Sequence, residues 1–144
     1  MKRGWIPAIL VGFALAGCQF TQRADADPAS YTVNEAFGLG GGQEAVIRGE
    51  NLRLRFDDVL EDSRCPKDVE CFWTGQARIV IRALQAGDST TLEFNTNPAP
   101  GQNRQSIPLG DYTIQLWSLD PYPRSPDHSP PLEDYRASLV VLKN

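Results

Sequence analysis

The sequence predicts an all-β protein, a single antiparallel β-sandwich of about seven strands. Three observations carry that expectation. Segments such as Leu52-Arg53-Leu54-Arg55-Phe56 alternate apolar and polar residues, which puts one face of an extended chain in a core and the other in water. Turn-forming stretches recur at short intervals, with 12 glycines and 11 prolines to build them. No segment repeats its apolar residues at a helical period, and no internal repeat is visible. Immunoglobulin-like topology is one candidate arrangement, and a small β-barrel is the alternative.

The strands are preceded by a leader over residues 1–17. Lys2 and Arg3 give a positive start, Trp5 to Phe13 form a short apolar run, and Leu15-Ala16-Gly17 end it in small residues before Cys18. This is a secretory signal layout, too short for a membrane span. The quartet Leu15-Ala16-Gly17-Cys18 resembles the lipobox of bacterial lipoproteins. The resemblance implies cleavage before Cys18, acylation of its thiol with diacylglycerol and further acyl (palmitate-type) chains, and attachment to the membrane through that lipid. Gln19 follows in the position where an aspartate marks retention in the inner membrane. By the same resemblance, the chain is therefore expected in the outer membrane of a Gram-negative cell envelope, facing the periplasm or the cell surface.

Charge narrows the partners. The chain has Lys+Arg 14 against Asp+Glu 18, and losing Lys2 and Arg3 with the leader leaves 12 against 18, about −6 with His128 neutral. An acidic chain without a basic cluster is not a nucleic-acid binder. It is also not held to anionic lipid by charge. With Cys18 given to lipid, Cys65 and Cys71 remain as an even pair in an oxidising compartment, and a disulfide between them is expected.

Residues 18–34 are polar and small, and read as a lipidated N-terminus and flexible tether. The sandwich domain is expected over residues 35–144. Phe37 and Leu39 alternate around Gly38, Gly40-Gly41-Gly42 offers a turn, and Ala45 and Ile47 share the inner face of the next strand. Leu52, Leu54 and Phe56 make the clearest strand. Val59 falls out of phase with them, and a bulge near Asp57-Asp58 would return it to the inner face.

The stretch from Asp62 to Gly75 is the densest in unusual residues: Asp62-Ser63-Arg64-Cys65-Pro66, then Cys71, Trp73 and Gly75. It resembles a group of small, uncharacterised exported bacterial proteins in which a similar Asp-Ser-Arg-Cys-Pro run precedes Cys-x-Trp-x-Gly. That likeness extends loosely from Phe37 to the C-terminal strand and implies an architecture without an activity. Cys71, Trp73, Ala77, Ile79, Ile81 and Ala83 share one parity, so a continuous strand would send Cys71 and Trp73 into the core beside Ile79 and Ile81. Ala86-Gly87-Asp88 reads as a hairpin turn into Thr90–Phe94. Residues 95–105 read as a connector. Tyr112, Ile114 and Leu116 line the inner face of a further strand with Trp117 on the other. Residues 120–134 form a second irregular stretch with five prolines and the only histidine, and Tyr135, Ala137, Leu139 and Val141 mark a closing strand of central type.

The chemistry is sparse. Five residues between Cys65 and Cys71 do not make the Cys-x-x-Cys of a redox site, a single histidine is too few for zinc, and no nucleophile elbow is present. No cofactor is implied. Asp57, Asp58, Glu61 and Asp62 offer oxygens to calcium, against a plainer reading in which they are strand-end carboxylates and Asp62 pairs with Arg64. The function expected is a membrane-anchored, non-catalytic binding or structural module for an envelope protein or polymer. Arg64, Lys67, Trp117, Tyr122 and Pro123 are its candidate contact residues, all but Trp117 on loops rather than on a sheet face. The alternative is a carboxylate-dependent hydrolase of envelope polymers, which needs two facing acids, one with a raised pKa.

Overall fold

The computed structural model describes residues 28–97 and 105–144. Cys18, the expected leader and most of the stretch read as tether lie outside them, as does the middle of the 95–105 connector. The described residues form nine strands in two sheets. The first sheet contains β1 (Ala29–Tyr31), β3 (Glu44–Ile47), β4 (Leu52–Asp62), β5 (Ala77–Gln85) and β6 (Asp88–Asn95), in that order. The second contains β2 (Ala36–Gly40), β9 (Arg136–Lys143), β8 (Tyr112–Asp120) and β7 (Ser106–Leu109). Every pairing is antiparallel except β1 with β3. The fold is a sandwich and not a closed barrel.

The strand order is not the immunoglobulin one, in which each sheet draws on alternating parts of the chain. Here β3 to β6 form one meander and β7 to β9 another, and β2 returns to pair with β9. This is an up-and-down order opened at two seams, so the barrel alternative was close in connectivity although not in closure.

The core follows the predicted phases. Phe37, Leu39, Ala45, Ile47, Leu52, Leu54, Phe56, Ile79, Ile81, Ile114, Leu116, Leu139 and Val141 are all buried. β9 lies between β2 and β8, as a strand apolar on both faces should. The expected bulge in β4 is present. Phe56 pairs with Ile81 and Asp58 with Val80, leaving Asp57 as the extra residue, and Val59 returns to pack against the core.

Two strands were not legible. β1 lies inside the stretch read as tether, so the fold begins before residue 35. It is only three residues long and mostly exposed, and it shows no alternation because it gains its place by backbone pairing to β3. Tyr31 then stacks on Phe37 with ring centroids 4.4 Å apart, which fastens the end of the strand. β7 was hidden by Pro108, which an edge strand tolerates because one row of its N–H groups faces away from the ladder.

The outward residues of the first sheet are matched in charge. Arg53 pairs with Glu44 at 3.2 Å, Arg55 and Arg82 share Asp57 at 3.1 and 2.6 Å, and Arg78 joins Glu61 at 2.8 Å and Glu93 at 3.0 Å. At one end of the sandwich, Glu50 in the β3–β4 turn accepts hydrogen bonds from the Tyr112 hydroxyl of β8 and from Lys143 Nζ of β9, the latter at 2.9 Å. The Tyr112 hydrogen bond is the larger cause, with Lys143, of a Glu50 pKa below the ordinary carboxylate range. The Arg78 hydrogen bond likewise lowers Glu61.

A carboxyl lowered in the folded state stabilises fully above its unfolded pKa near 4.5 and loses that contribution as pH falls through the folded value. Denaturant midpoints should therefore hold from neutral pH to about 4.5 as far as Glu50 and Glu61 are concerned, then decline. In Glu50→Gln the decline should be shallower, and an unchanged acid limb would show that the Glu50 link contributes nothing. A second expectation concerns the β5–β6 hairpin. Ala86 and Gly87 both have positive φ, 49° and 86°, as a type I′ turn requires. Ala86→Asn should stabilise by about 1 kcal/mol, because asparagine tolerates the left-handed region that alanine resists. Chemical denaturation reads it directly.

Candidate functional site

The distinctive residues gather at the opposite end from Glu50, where β4 and β8 run out into the two irregular stretches. Two further bulges prepare it. In β4, Val59 pairs with Ile79 and Glu61 with Arg78, so Leu60 is the extra residue and is turned out to solvent. In β8, Leu116 pairs with Leu139 and Ser118 with Ser138, so Trp117 is the extra residue and is 64% exposed. Both register shifts expel an apolar side chain at the same end. Trp117 lies outside, as its phase implied.

The last residue of β4 starts a buried ion pair. Asp62 receives Arg64 Nε at 2.8 Å and Nη2 at 2.8 Å, a bidentate arrangement, and the Tyr135 hydroxyl at 2.7 Å. Arg64 Nη1 donates to the Leu119 carbonyl at 2.5 Å and Nη2 to the Pro121 carbonyl at 2.7 Å. Burial opposes the Arg64 charge most strongly, but the Asp62 hydrogen bonds and charge outweigh it and hold the pKa above the ordinary arginine value. Burial, then the hydrogen bond to Asp62, raises the Tyr135 hydroxyl well above the usual tyrosine range. Arg64 was expected as a contact residue. Its guanidinium is instead spent inside the fold, joining the ends of β4 and β8, while Asp62 also holds Tyr135 just before β9.

Beyond Arg64 the chain forms the disulfide loop. Cys65 and Cys71 are bonded, with Cα atoms 5.9 Å apart. The strand expected through Cys71 and Trp73 does not form. Gly75 has φ of 67°, and its backbone runs so close to Ser63 that a Cβ there would fall 2.0 Å from the Ser63 carbonyl oxygen. That turn breaks the phase, so β5 begins only at Ala77. Trp73 is consequently 52% exposed rather than buried, with its indole Nε1 donating to the Ser63 carbonyl at 3.2 Å. Phe72 is wholly exposed, and Val69 is exposed beside them in sequence.

Tyr122 stands on the other side of Arg64, which lies under its ring at 4.3 Å from the centroid; Lys67 Nζ is 5.9 Å away. A groove of about 500 Å³ on one flank is lined by Pro66, Lys67, Asp68, Asp120, Tyr122 and Arg124. A second of about 370 Å³ opens between Tyr122, Arg124 and residues 128–134. Of the expected contact residues, Lys67, Trp117 and Tyr122 are exposed at this end, whereas Pro123 is buried in the wall of the first groove. Residues 120–134 are themselves organised. Ser125 and His128 close a tight turn through a 3.2 Å backbone bond and a 3.0 Å contact between Ser125 Oγ and His128 Nδ1, and Leu132–Asp134 form a 3-10 turn.

Comparison with protein-family models, curated proteins and solved structures found no match.

The four carboxylates considered for calcium disperse instead of converging. Asp57 faces two arginines, Glu61 faces Arg78, Asp62 faces Arg64, and Asp58 caps the backbone N–H of Val59 at 2.8 Å. No group of three potential metal ligands occurs among the described residues. The site missed from sequence is the exposed pair Phe72 and Trp73. Gly75 was the available signal, because a glycine inside an apparent strand often marks a break where backbone approaches backbone.

The buried ion pair yields a sharp expectation. Removing one partner leaves the other charge buried and alone, which costs about 3–5 kcal/mol. Arg64→Met should lose stability on that scale in urea denaturation, while Arg64→Met with Asp62→Leu should recover most of it. Equal losses in the single and double variants would mean that the pair is not what holds this end.

Proposed function

We propose that this chain is a lipid-anchored, non-catalytic module of the bacterial cell envelope, attached through Cys18 to the outer membrane, that meets an envelope protein or polymer through the loop end of its sandwich. The observation that carries this reading is the gathering of exposed apolar side chains at that end. Seven large hydrophobic residues stand exposed among the described residues: Leu60, Val69, Phe72, Trp73, Leu84, Trp117 and Tyr122. All but Leu84 lie toward that end: Val69, Phe72, Trp73, Trp117 and Tyr122 on the disulfide loop, its exit and the end of β8, and Leu60 beside Ser129, Pro130 and Leu132. They stand on backbone fixed by the disulfide, the Asp62–Arg64 pair and the proline-rich connector, so little order remains to be lost on binding. The lipobox and leader support the attachment and the compartment.

A hydrolase would ask for facing acids with one held protonated. Among the described residues, the carboxyls that depart from the ordinary range, Glu50 and Glu61, are lowered, and each is committed to a cation. The binding reading therefore has the better support.

Two measurements test it. Intact mass of the membrane-extracted protein should show a chain beginning at Cys18 with acyl chains added, and an unmodified chain beginning elsewhere would overturn the anchor. Crosslinking in the native membrane should capture a defined envelope component. Its yield should fall at least fivefold in Tyr122→Ser and stay unchanged in Leu84→Ser at the far end. Equal yields in the two variants would move the contact away from the loop end.

A further inference from the structure

We infer that Val69, Phe72 and Trp73 form a prong that dips into the interfacial layer of the same bilayer that holds the lipid, so that the domain sits loop end down on the membrane. This rests on the anchored reading above and adds an orientation and a second membrane contact to it.

Direction and reach of the chain point to this. β1 runs parallel to β3, with Ala29 beside Ala45, and Ala45 lies opposite Leu54 of the antiparallel β4. Because β4 advances from Leu54 to Asp62 toward the disulfide loop, β1 advances away from it. The chain therefore arrives at Ala29 from the side of the disulfide loop. Nine residues lie between Cys18 and Pro28, and the ten Cα-to-Cα steps span at most about 35 Å when extended. From the level of Leu54 to the end of β4 is about 25 Å. An anchor in the bilayer thus comes level with the prong with little chain to spare.

The prong has the chemistry of an interfacial anchor. Phe72, the residue after Cys71, presents a bare ring, and Val69 adds an aliphatic contact from within the loop that the disulfide closes. Trp73 keeps its N–H on the Ser63 carbonyl while leaving much of its ring outside, an amphipathic arrangement suited to the head-group level. None of these three lines the grooves that flank Tyr122. They project from the surface rather than frame a cleft, which fits a deformable lipid interface better than a preformed protein pocket. With 18 acidic residues in the chain and Lys67 next to Asp68 and close to Glu70, electrostatic attraction is not the driving force. The contact is expected with zwitterionic lipid and to persist at high salt.

The test uses the lipidated full chain carrying Trp117→Phe, in which Trp73 is the last tryptophan after the leader. It is reconstituted into phosphatidylcholine vesicles with or without bromine on the acyl chains near the head groups. Trp73 emission should fall at least twofold in the brominated vesicles, and adding Phe72→Ser and Val69→Ser should remove most of that quenching. Because both residues are exposed, these changes leave the fold intact, which retention of the disulfide and of the unfolding midpoint would verify. Equal emission in plain and brominated vesicles overturns the proposal. Should intact mass show no acyl chains, the anchored reading fails separately. The same quenching is then read on the unacylated chain with vesicles in excess, where quenching upholds the prong and equal emission sinks it.

Discussion

Asp62 and Arg64 lie two residues apart in sequence and hold together three strands that are far apart in it. Withdrawn from water, neither charge is tolerable without the other. The pair can persist only if the remaining donors of the guanidinium find acceptors, and these are the carbonyls of Leu119 and Pro121. The end of β8 must therefore arrive beside the end of β4, and Tyr135 must bring the start of β9 to the same carboxylate. Much of the loop end follows from that requirement. It fixes where the disulfide loop departs, and it places Tyr122 against the cation.

The other end of β4 repeats the device in a more exposed form. Glu50, just before the strand, binds a tyrosine from β8 and a lysine from β9. A carboxylate flanks the longest strand of the first sheet at each end, and each is met by a tyrosine and a cation. The two sheets are thus registered against each other at both ends by directional polar contacts, while the interior between is filled by side chains that specify distance but not sliding. Buried apolar packing alone would allow neighbouring registers that these contacts exclude.

This division explains what could be read from the sequence. The inner-facing residues of six strands were legible because burial imposes a period of two, β6 was placed by its hairpin turn, and even the bulge at Asp57 announced itself through the misplaced phase of Val59. β1 and β7 were not legible. Their positions come from backbone hydrogen bonds at sheet edges, which Ala29-Ser30-Tyr31 and a proline-containing segment can make without an apolar pattern. The failure at Cys71 and Trp73 has a different source. Alternation was extrapolated across Gly75, whose positive φ reverses the chain against Ser63 and sends the tryptophan outward. The pairing of Asp62 with Arg64 was one of the readings the sequence offered, but the destination of the other Arg64 donors depended on carbonyls more than fifty positions away. No local pattern records such a contact.

The parallel pairing of β1 with β3 also has a mechanical side. A pull on the residues before Pro28, directed toward the disulfide loop, acts along the axis of β1 and not across it. Its backbone hydrogen bonds to β3, including the 2.7 Å bond from the Arg48 N–H to the Tyr31 carbonyl, would then be strained together in shear instead of being peeled apart one at a time. The stacked rings of Tyr31 and Phe37 stand behind the strand as a stop. Three residues at the edge of a sheet are in this way arranged to resist a pull along the chain by shear.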